Sequence, residues 1–335
     1  MTTQRSFIYP FGDNTHALNI NDYLLDCQAF DNRDSLTTVI RRQWDEQGLI
    51  VLKNTGMQHL RELQDWAEVL FEDFTAYDGG SAPRDKWSNT VFQLGDAPAT
   101  IDLCFHNEGC YLPKYPCCFV IGSVKCPTEG GETLIADNEK ATETLLETPV
   151  GQALKTKGMR YIRRMTDKYA TDNSELPYKH WQDVLLVETR EEAETYVKAQ
   201  GWDFEWLSNG TLRTSYCVDP YEYHEKLGKN LFFAGLSSHA SFFDQWAPFN
   251  TLPDEQRPLN MTFCDGTAFN EDDIRQLYEA YNSSSLALNW HQADVALLDN
   301  LRWSHARPAY TLKPDEERVM GVTMGMMKER VGNRF

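Results

Sequence analysis

The sequence predicts a mainly β fold, an antiparallel barrel or jelly roll carrying helical insertions. Three observations lead there. Short apolar, β-branched and aromatic runs recur at 115–124, 231–234, 295–298 and 319–324, each of strand length. Asn209-Gly210, inside the run 204–216, is a two-residue hairpin signal that joins antiparallel neighbours. Finally, no strand run leads into a glycine-rich phosphate turn: neither G-x-x-x-x-G-K-[ST] nor G-x-G-x-x-G occurs. A doubly wound nucleotide-binding sheet is therefore disfavoured.

The elements follow in order. Ser35 can cap a helix that runs through Ile40 and Trp44, and Gly48 ends it before the apolar strand Leu49-Ile50-Val51-Leu52. Leu60, Leu63, Trp66, Leu70 and Phe71 have the spacing of a second helix. The strand run 115–124 leads towards the turn Gly130-Gly131. Helical propensity returns at 138–157, 190–200 and 271–282, the last with Asn270 as its cap. Helices that come early and between many short strands fit insertions on a barrel. No repeat, low-complexity tract or Pro/Gly/Ser linker divides the chain, so residues 1–335 read as one domain.

Composition narrows the function. Lys and Arg number 32 against 50 Asp and Glu, giving 32 − 50 = −18. Such a chain repels nucleic acid and anionic membranes alike, so neither is an expected partner. No run of eighteen apolar residues is present, and residues 1–20 do not read as a signal peptide, which makes a cytoplasmic protein the expectation. The eight cysteines include no C-x-x-C pair, and they read as reduced thiols, mostly small core residues.

Chemistry concentrates at Phe105-His106-Asn107-Glu108. In an extended strand His106 and Glu108 point to one face, while Asn107 points away from it and still borders the pocket. One imidazole and one carboxylate make two thirds of a 2-His-1-carboxylate iron site, which leaves coordination positions open. A distant histidine can complete it: His305 follows an apolar strand in the segment 299–307. Arg318 heads Arg318-Val319-Met320, and Thr133 follows the turn Gly130-Gly131-Glu132. A cation and a hydroxyl are the groups that grip a dicarboxylate.

With these residues in place the chain resembles the TauD/TfdA group of Fe(II)- and 2-oxoglutarate-dependent oxygenases, and within it the SyrP-like branch of amino-acid hydroxylases. The residues that carry the resemblance are H-N-E at 106–108, G-G-E-T at 130–133, Tyr161-Ile162-Arg163, Asp265-Gly266 and the closing D-N-x-x-x-x-H-x-R…R-V-M. His106 and Thr133 are 133 − 106 = 27 positions apart, the family's spacing. The likeness runs from about residue 45 to 328, leaving 1–44 as an N-terminal extension. It implies a double-stranded β-helix, a cupin-like jelly-roll barrel. It implies iron on His106, Glu108 and His305, and 2-oxoglutarate held by Thr133 and Arg318. With O2 the reaction would yield succinate, CO2 and an oxidised amino acid or derivative, free or tethered to a carrier protein. Hydroxylation, desaturation and epoxidation are all open, in natural-product biosynthesis. Glu108 fills the place that halogenases leave to chloride, which argues against halogenation. Arg164 stands where the family usually has asparagine, and Gly109 replaces a commoner methionine.

Competing assignments are specific. Asn107, Arg163, Arg164 and Arg307 are candidates for the substrate, though Arg307 could instead pair with Asp299. His239 is the rival to His305, and the histidines at 16, 59, 180, 224 and 291 read as surface or core groups. A cupin-type isomerase or lyase, or a silent binding protein on the same barrel, would leave Thr133 and Arg318 without a purpose.

Overall fold

A computed structural model describes residues 11, 18–75, 87–94, 97–171 and 175–335. At its centre are two sheets. The larger has six strands in the order Leu24–Asp26, Leu49–Lys53, Val295–Asp299, Lys114–Lys125, Val319–Glu329 and Phe92–Gln93. The smaller has four, in the order Ser285–Leu288, Thr133–Asp137, Trp303–Arg307 and Leu103–His106. Apart from Leu24–Asp26, which pairs parallel with Leu49–Lys53, the neighbours run antiparallel. The two sheets share one apolar layer: Val51, Phe119, Ile121 and Val322 meet Ile135, Leu286 and Trp303 there. This is the jelly-roll arrangement anticipated from the sequence.

Strand alternation explains why Leu49-Ile50-Val51-Leu52 is apolar at every position. Leu49 and Val51 enter the inter-sheet layer, while Ile50 and Leu52 meet Leu36 and Ile40 of the helix Arg33–Gln47. Both faces of the strand are covered, so all four side chains are buried. Each such side chain contributes about 1.5–3 kcal/mol of apolar burial.

A third sheet, ordered Leu259–Phe263, Met159–Met165, Leu212–Val218 and Asp203–Trp206, stands beside this core. Along Met159–Met165 burial alternates strictly, so Tyr161 and Arg163 face inward and Arg164 does not. The helices Asn138–Leu146, Pro149–Lys157 and Glu271–Asn282 share an apolar cluster with its inner face. No helix among the described residues is long and apolar enough to cross a membrane.

Several local expectations need correction. The first helix is capped by Asn32, whose side chain accepts from the Ser35 amide; Ser35 is the capped residue, not the cap. The second helix shrinks to a 3-10 turn, Leu60–Glu62, and a single α segment, Leu63–Ala67. The run 138–157 is split where Thr148 caps a new helix before Pro149. The Asn209-Gly210 hairpin is closed by one bond, from the Leu207 amide to the Thr211 carbonyl at 2.9 Å, around a three-residue loop with Gly210 at φ +85°. The thiol reading fails for one pair: Cys217 and Cys264 form a disulfide with Cα atoms 5.6 Å apart. Cys217 lies in Leu212–Val218 and Cys264 directly follows Leu259–Phe263, and these strands flank Met159–Met165, which brings together residues 47 positions apart. Six other cysteines are free, and burial pushes Cys104, Cys110 and Cys117 up to about 12.

Candidate active site

His106 ends the strand Leu103–His106, and His305 lies in the middle of Trp303–Arg307; the two are register partners. Their rings sit with centroids 4.2 Å apart. Glu108 is not on the strand, contrary to the alternation argument. The chain leaves the sheet after His106, and Glu108 approaches from the turn that follows. The Asn107 amide donates to Ala234 at 3.1 Å, and Gly109 adopts φ +68° to continue the turn. The carboxylate still reaches the imidazoles: Glu108 Oε1 is 4.0 Å from His106 Nε2 and 3.9 Å from His305 Nε2. One ligand atom from each of the three lies within 4.8 Å of the others.

Each ring is held by its surroundings. His106 Nδ1 is 3.0 Å from the Cys104 carbonyl, which places the proton there and leaves Nε2 a lone pair for a metal. His305 stacks on Phe119 at 4.5 Å, and it is buried together with Glu108. A buried carboxylate between two imidazoles is stabilised by a cation, and this donor set suits Fe(II) with positions left open.

The turn carrying Glu108 is anchored by a residue the sequence reading did not single out. Asn300 Oδ1 accepts from the Glu108 amide at 2.9 Å, and Asn300 Nδ2 donates to the carbonyls of Glu108 and Pro116, both at 2.8 Å. Asn300 belongs to a turn in which Asp299 Oδ1 accepts from the Leu301 amide at 3.0 Å. That turn leads directly into the His305 strand. The D-N pair was visible as part of the closing motif, but nothing local reveals that its amide reaches back to Glu108.

One cavity joins the triad to Thr133, Arg307 and Arg318, between apolar walls of Leu94, Leu103 and Ile121. Trp290 Nε1–H donates to Thr133 Oγ1 at 2.9 Å, leaving the threonine proton for another acceptor. Arg318 Nε donates to the Gly131 carbonyl at 3.1 Å. Burial pushes the Arg318 guanidinium down to about 10, against the upward pull of Tyr310, so it remains a cation at neutral pH. A desolvated cation beside a hydroxyl is a receptor for a carboxylate.

The remaining candidates separate. Arg307 lines the cavity, but its guanidinium donates to the carbonyls of Ala97 (3.1 Å), Pro98 (2.7 Å) and Ile101 (2.7 Å). It does not pair with Asp299, whose Oδ2 is instead 3.2 Å from His224 Nε2. Arg164 points away from the inner face and pairs with Glu175. Asn107 donates to the carbonyls of Asn300 (2.6 Å) and Trp303 (3.1 Å), so it braces the fold rather than lining the cavity. Arg163 is buried, 5.8 Å from the Tyr111 ring centroid, in the loop just beyond Glu108. His239 Nδ1 lies 2.7 Å from Ser241 Oγ, outside the His–Glu–His cluster. His16 lies outside the described residues.

Comparison with known proteins shows the family and the fold. The family model of the taurine catabolism dioxygenase TauD, TfdA family, matches residues 24–324. A dapdiamide synthesis protein, DdaC, of Enterobacter agglomerans is 24% identical over 284 residues, covering 83% of this chain and 82% of its own. A clavaminate synthase-like protein of Arabidopsis thaliana is 23% identical, covering 78% of each. Among solved structures, a taurine dioxygenase from Burkholderia xenovorans superposes with a TM-score of 0.53 at 13% identity, over 90% of this chain and 84% of that one. An asparagine oxygenase, solved with Fe(II), 2S,3S-3-hydroxyasparagine and succinate, gives 0.52 at 11% identity, over 88% and 79%.

Proposed function

The chain belongs to the TauD/TfdA family of oxygenases, and from that premise we propose that it hydroxylates an amino acid or amino-acid derivative at an unactivated C–H bond. The observation that carries the reading is the His106–Glu108–His305 cluster opening into the same cavity as Thr133 and Arg318. His106, Glu108 and His305 would hold Fe(II), and Thr133 and Arg318 the distal carboxylate of 2-oxoglutarate. Bound there, iron and 2-oxoglutarate supply the oxidation, in which O2 is consumed and succinate and CO2 are released. The protein's own part is positioning. Cys104 fixes the His106 tautomer, Asn300 holds the Glu108 turn, and Leu94, Leu103 and Ile121 exclude water.

The names of the relatives, dapdiamide synthesis protein and asparagine oxygenase, support an amino-acid-like substrate and a role in natural-product biosynthesis. A free amino acid or small peptide is favoured over a carrier-tethered one. What supports this is Arg163, a buried cation on the inner face of the third sheet, whereas Arg164 faces away from it. Desaturation or epoxidation would use the same site.

The test begins with anaerobic addition of Fe(II) and 2-oxoglutarate. A weak metal-to-ligand charge-transfer band should form, and be lost in His106→Ala, Glu108→Ala and His305→Ala. With oxygen and a panel of free and carrier-loaded amino acids, succinate formation should accompany a product heavier by one oxygen atom. Absence of the band in the wild type, or its survival in His305→Ala, sinks the assignment.

A further inference from the structure

The loop from the His305 strand to the Arg318 strand carries a side chain to which the chemistry above gives no role. Tyr310, half-buried, stands against both cations of the cavity: Arg307 Cζ lies 5.3 Å and Arg318 Cζ 5.6 Å from its ring centroid. Both are within the ~6 Å over which a ring face attracts a guanidinium. Burial is the largest influence lowering Arg318, and Arg307 adds to it, whereas hydrogen bonding to Tyr310 pulls the other way. The two arginines are not equivalent. Arg307 is tied by its Nη groups to the carbonyls of Ala97, Pro98 and Ile101. Arg318 is tied through Nε to the Gly131 carbonyl, so the direction of its Nη end is set by what lies against it.

Tyr310 is itself fixed from several sides. Its amide donates to the Ala99 carbonyl at 2.8 Å, and the preceding amide, of Ala309, donates to Asp102 Oδ1 at 2.7 Å. Further along the same loop Glu316 Oε1 accepts from the Thr128 amide at 3.0 Å and from its hydroxyl at 2.6 Å. The Gly130-Gly131 turn touches both members of the pair. A Cβ added to Gly130 would lie 3.0 Å from Tyr310 Cβ, and one added to Gly131 3.2 Å from Arg318 Cδ. Both glycines have φ +73°, so the turn that brings in Thr133 also leaves room for Tyr310 and Arg318 to close on it.

We propose that Tyr310 is a positioning residue for 2-oxoglutarate, holding the Arg318 guanidinium in the direction in which it meets the distal carboxylate. The proposal rests on the cosubstrate reading above and adds the residue that sets the arginine. A long cation left to rotate loses side-chain entropy each time it binds, and one held in advance does not. Tyr310 acts through Arg318 and needs no contact with the cosubstrate itself.

Protein loaded anaerobically with Fe(II) is titrated calorimetrically with 2-oxoglutarate and with 2-oxopentanoate, the same carbon chain with a methyl group in place of the distal carboxylate. The wild type should bind 2-oxoglutarate about 30-fold or more tightly, and Arg318→Leu should erase most of that difference. Tyr310→Leu should weaken 2-oxoglutarate about tenfold and leave 2-oxopentanoate within about twofold. Added to Arg318→Leu, it should change neither affinity, because its effect passes through the arginine. Tyr310→Phe keeps the ring and should cost about threefold, on 2-oxoglutarate alone, and it decides the matter if Tyr310→Leu does not fold. Three results overturn the proposal and leave the cosubstrate reading standing: no loss in the deciding variant, equal losses for the two oxo acids, or a loss that adds to that of Arg318→Leu. A wild type that binds the two oxo acids equally overturns both.

Discussion

Asn300 joins two segments 192 positions apart, and three of its hydrogen bonds end on the backbone of the Glu108 turn or on Pro116. Removing its amide leaves the Glu108 N–H without its acceptor in a buried site, at about 1–3 kcal/mol for each unpaired group. Asn300→Ala should therefore lower the melting temperature and weaken Fe(II) or Co(II) binding about tenfold or more, measured by anaerobic titration. Metal affinity within about twofold of wild type would show that the turn holds itself. At the other end of the cavity, Arg318→Leu removes a desolvated cation from its anion, an effect of about 2–5 kcal/mol. The dissociation constant of 2-oxoglutarate should then rise about 30-fold or more. Trp290→Phe leaves Thr133 in place but loses one donor at 2.9 Å, so it should weaken 2-oxoglutarate by only about twofold to tenfold. If Trp290→Phe matches Arg318→Leu, the grip does not centre on the arginine.

At the scale of elements, the tight turn before the Thr133 strand sets where Arg318 lies. Gly131 has φ +73°, and an added Cβ would sit 3.0 Å from Pro127 Cγ and 3.2 Å from Arg318 Cδ. Gly201, at φ +70°, has nothing within 4 Å. Gly131→Ala and Gly201→Ala should both cost about 1–2 kcal/mol of stability through the left-handed backbone. Only Gly131→Ala should also weaken 2-oxoglutarate binding, by isothermal titration. Equal cosubstrate affinity in the two variants would detach the turn from the grip. What the sequence disclosed of these elements follows the same logic. Gly48, Asn270 and the run Leu49-Ile50-Val51-Leu52 were legible because capping and two-sided burial leave local marks. His106 and Glu108 were legible as a pair, yet H-x-E has the same spacing in a strand and in a strand-to-turn exit. The placement of Glu108 therefore depended on Asn300, far along the chain. The Cys217–Cys264 bond and the inward set of Arg163, Thr214 and Tyr216 likewise arise from strand order, which single residues do not encode.

Across the whole molecule, the last residues close the structure over the same turn from the opposite end of the sequence. Glu222 is fully buried and accepts from Arg330 Nε at 3.3 Å, the Val331 amide at 2.8 Å and the Gly332 amide at 3.0 Å. Arg330 also donates from Nη1 to the carbonyl of Cys110, two residues after Glu108. The tail thus ties the Tyr221–His224 strand to the metal-bearing loop, and Phe335 packs edge-on against Tyr221 at 5.2 Å. Taking away one partner of a buried ion pair leaves an uncompensated charge and costs about 3–5 kcal/mol. Glu222→Ala should therefore destabilise the fold by that amount in urea unfolding, because Arg330 and two amides lose their acceptor together. Phe335→Ala, at a half-exposed ring, should cost far less. The tail also matters for the centre if Arg330 helps to hold the Cys110 end of the loop. In that case Glu222→Ala, assayed well below its melting temperature, should weaken metal binding several-fold while Phe335→Ala does not. A Glu222→Ala protein that unfolds early but binds metal normally when folded would confine the tail to stability, and leave Asn300 as the anchor that serves Glu108.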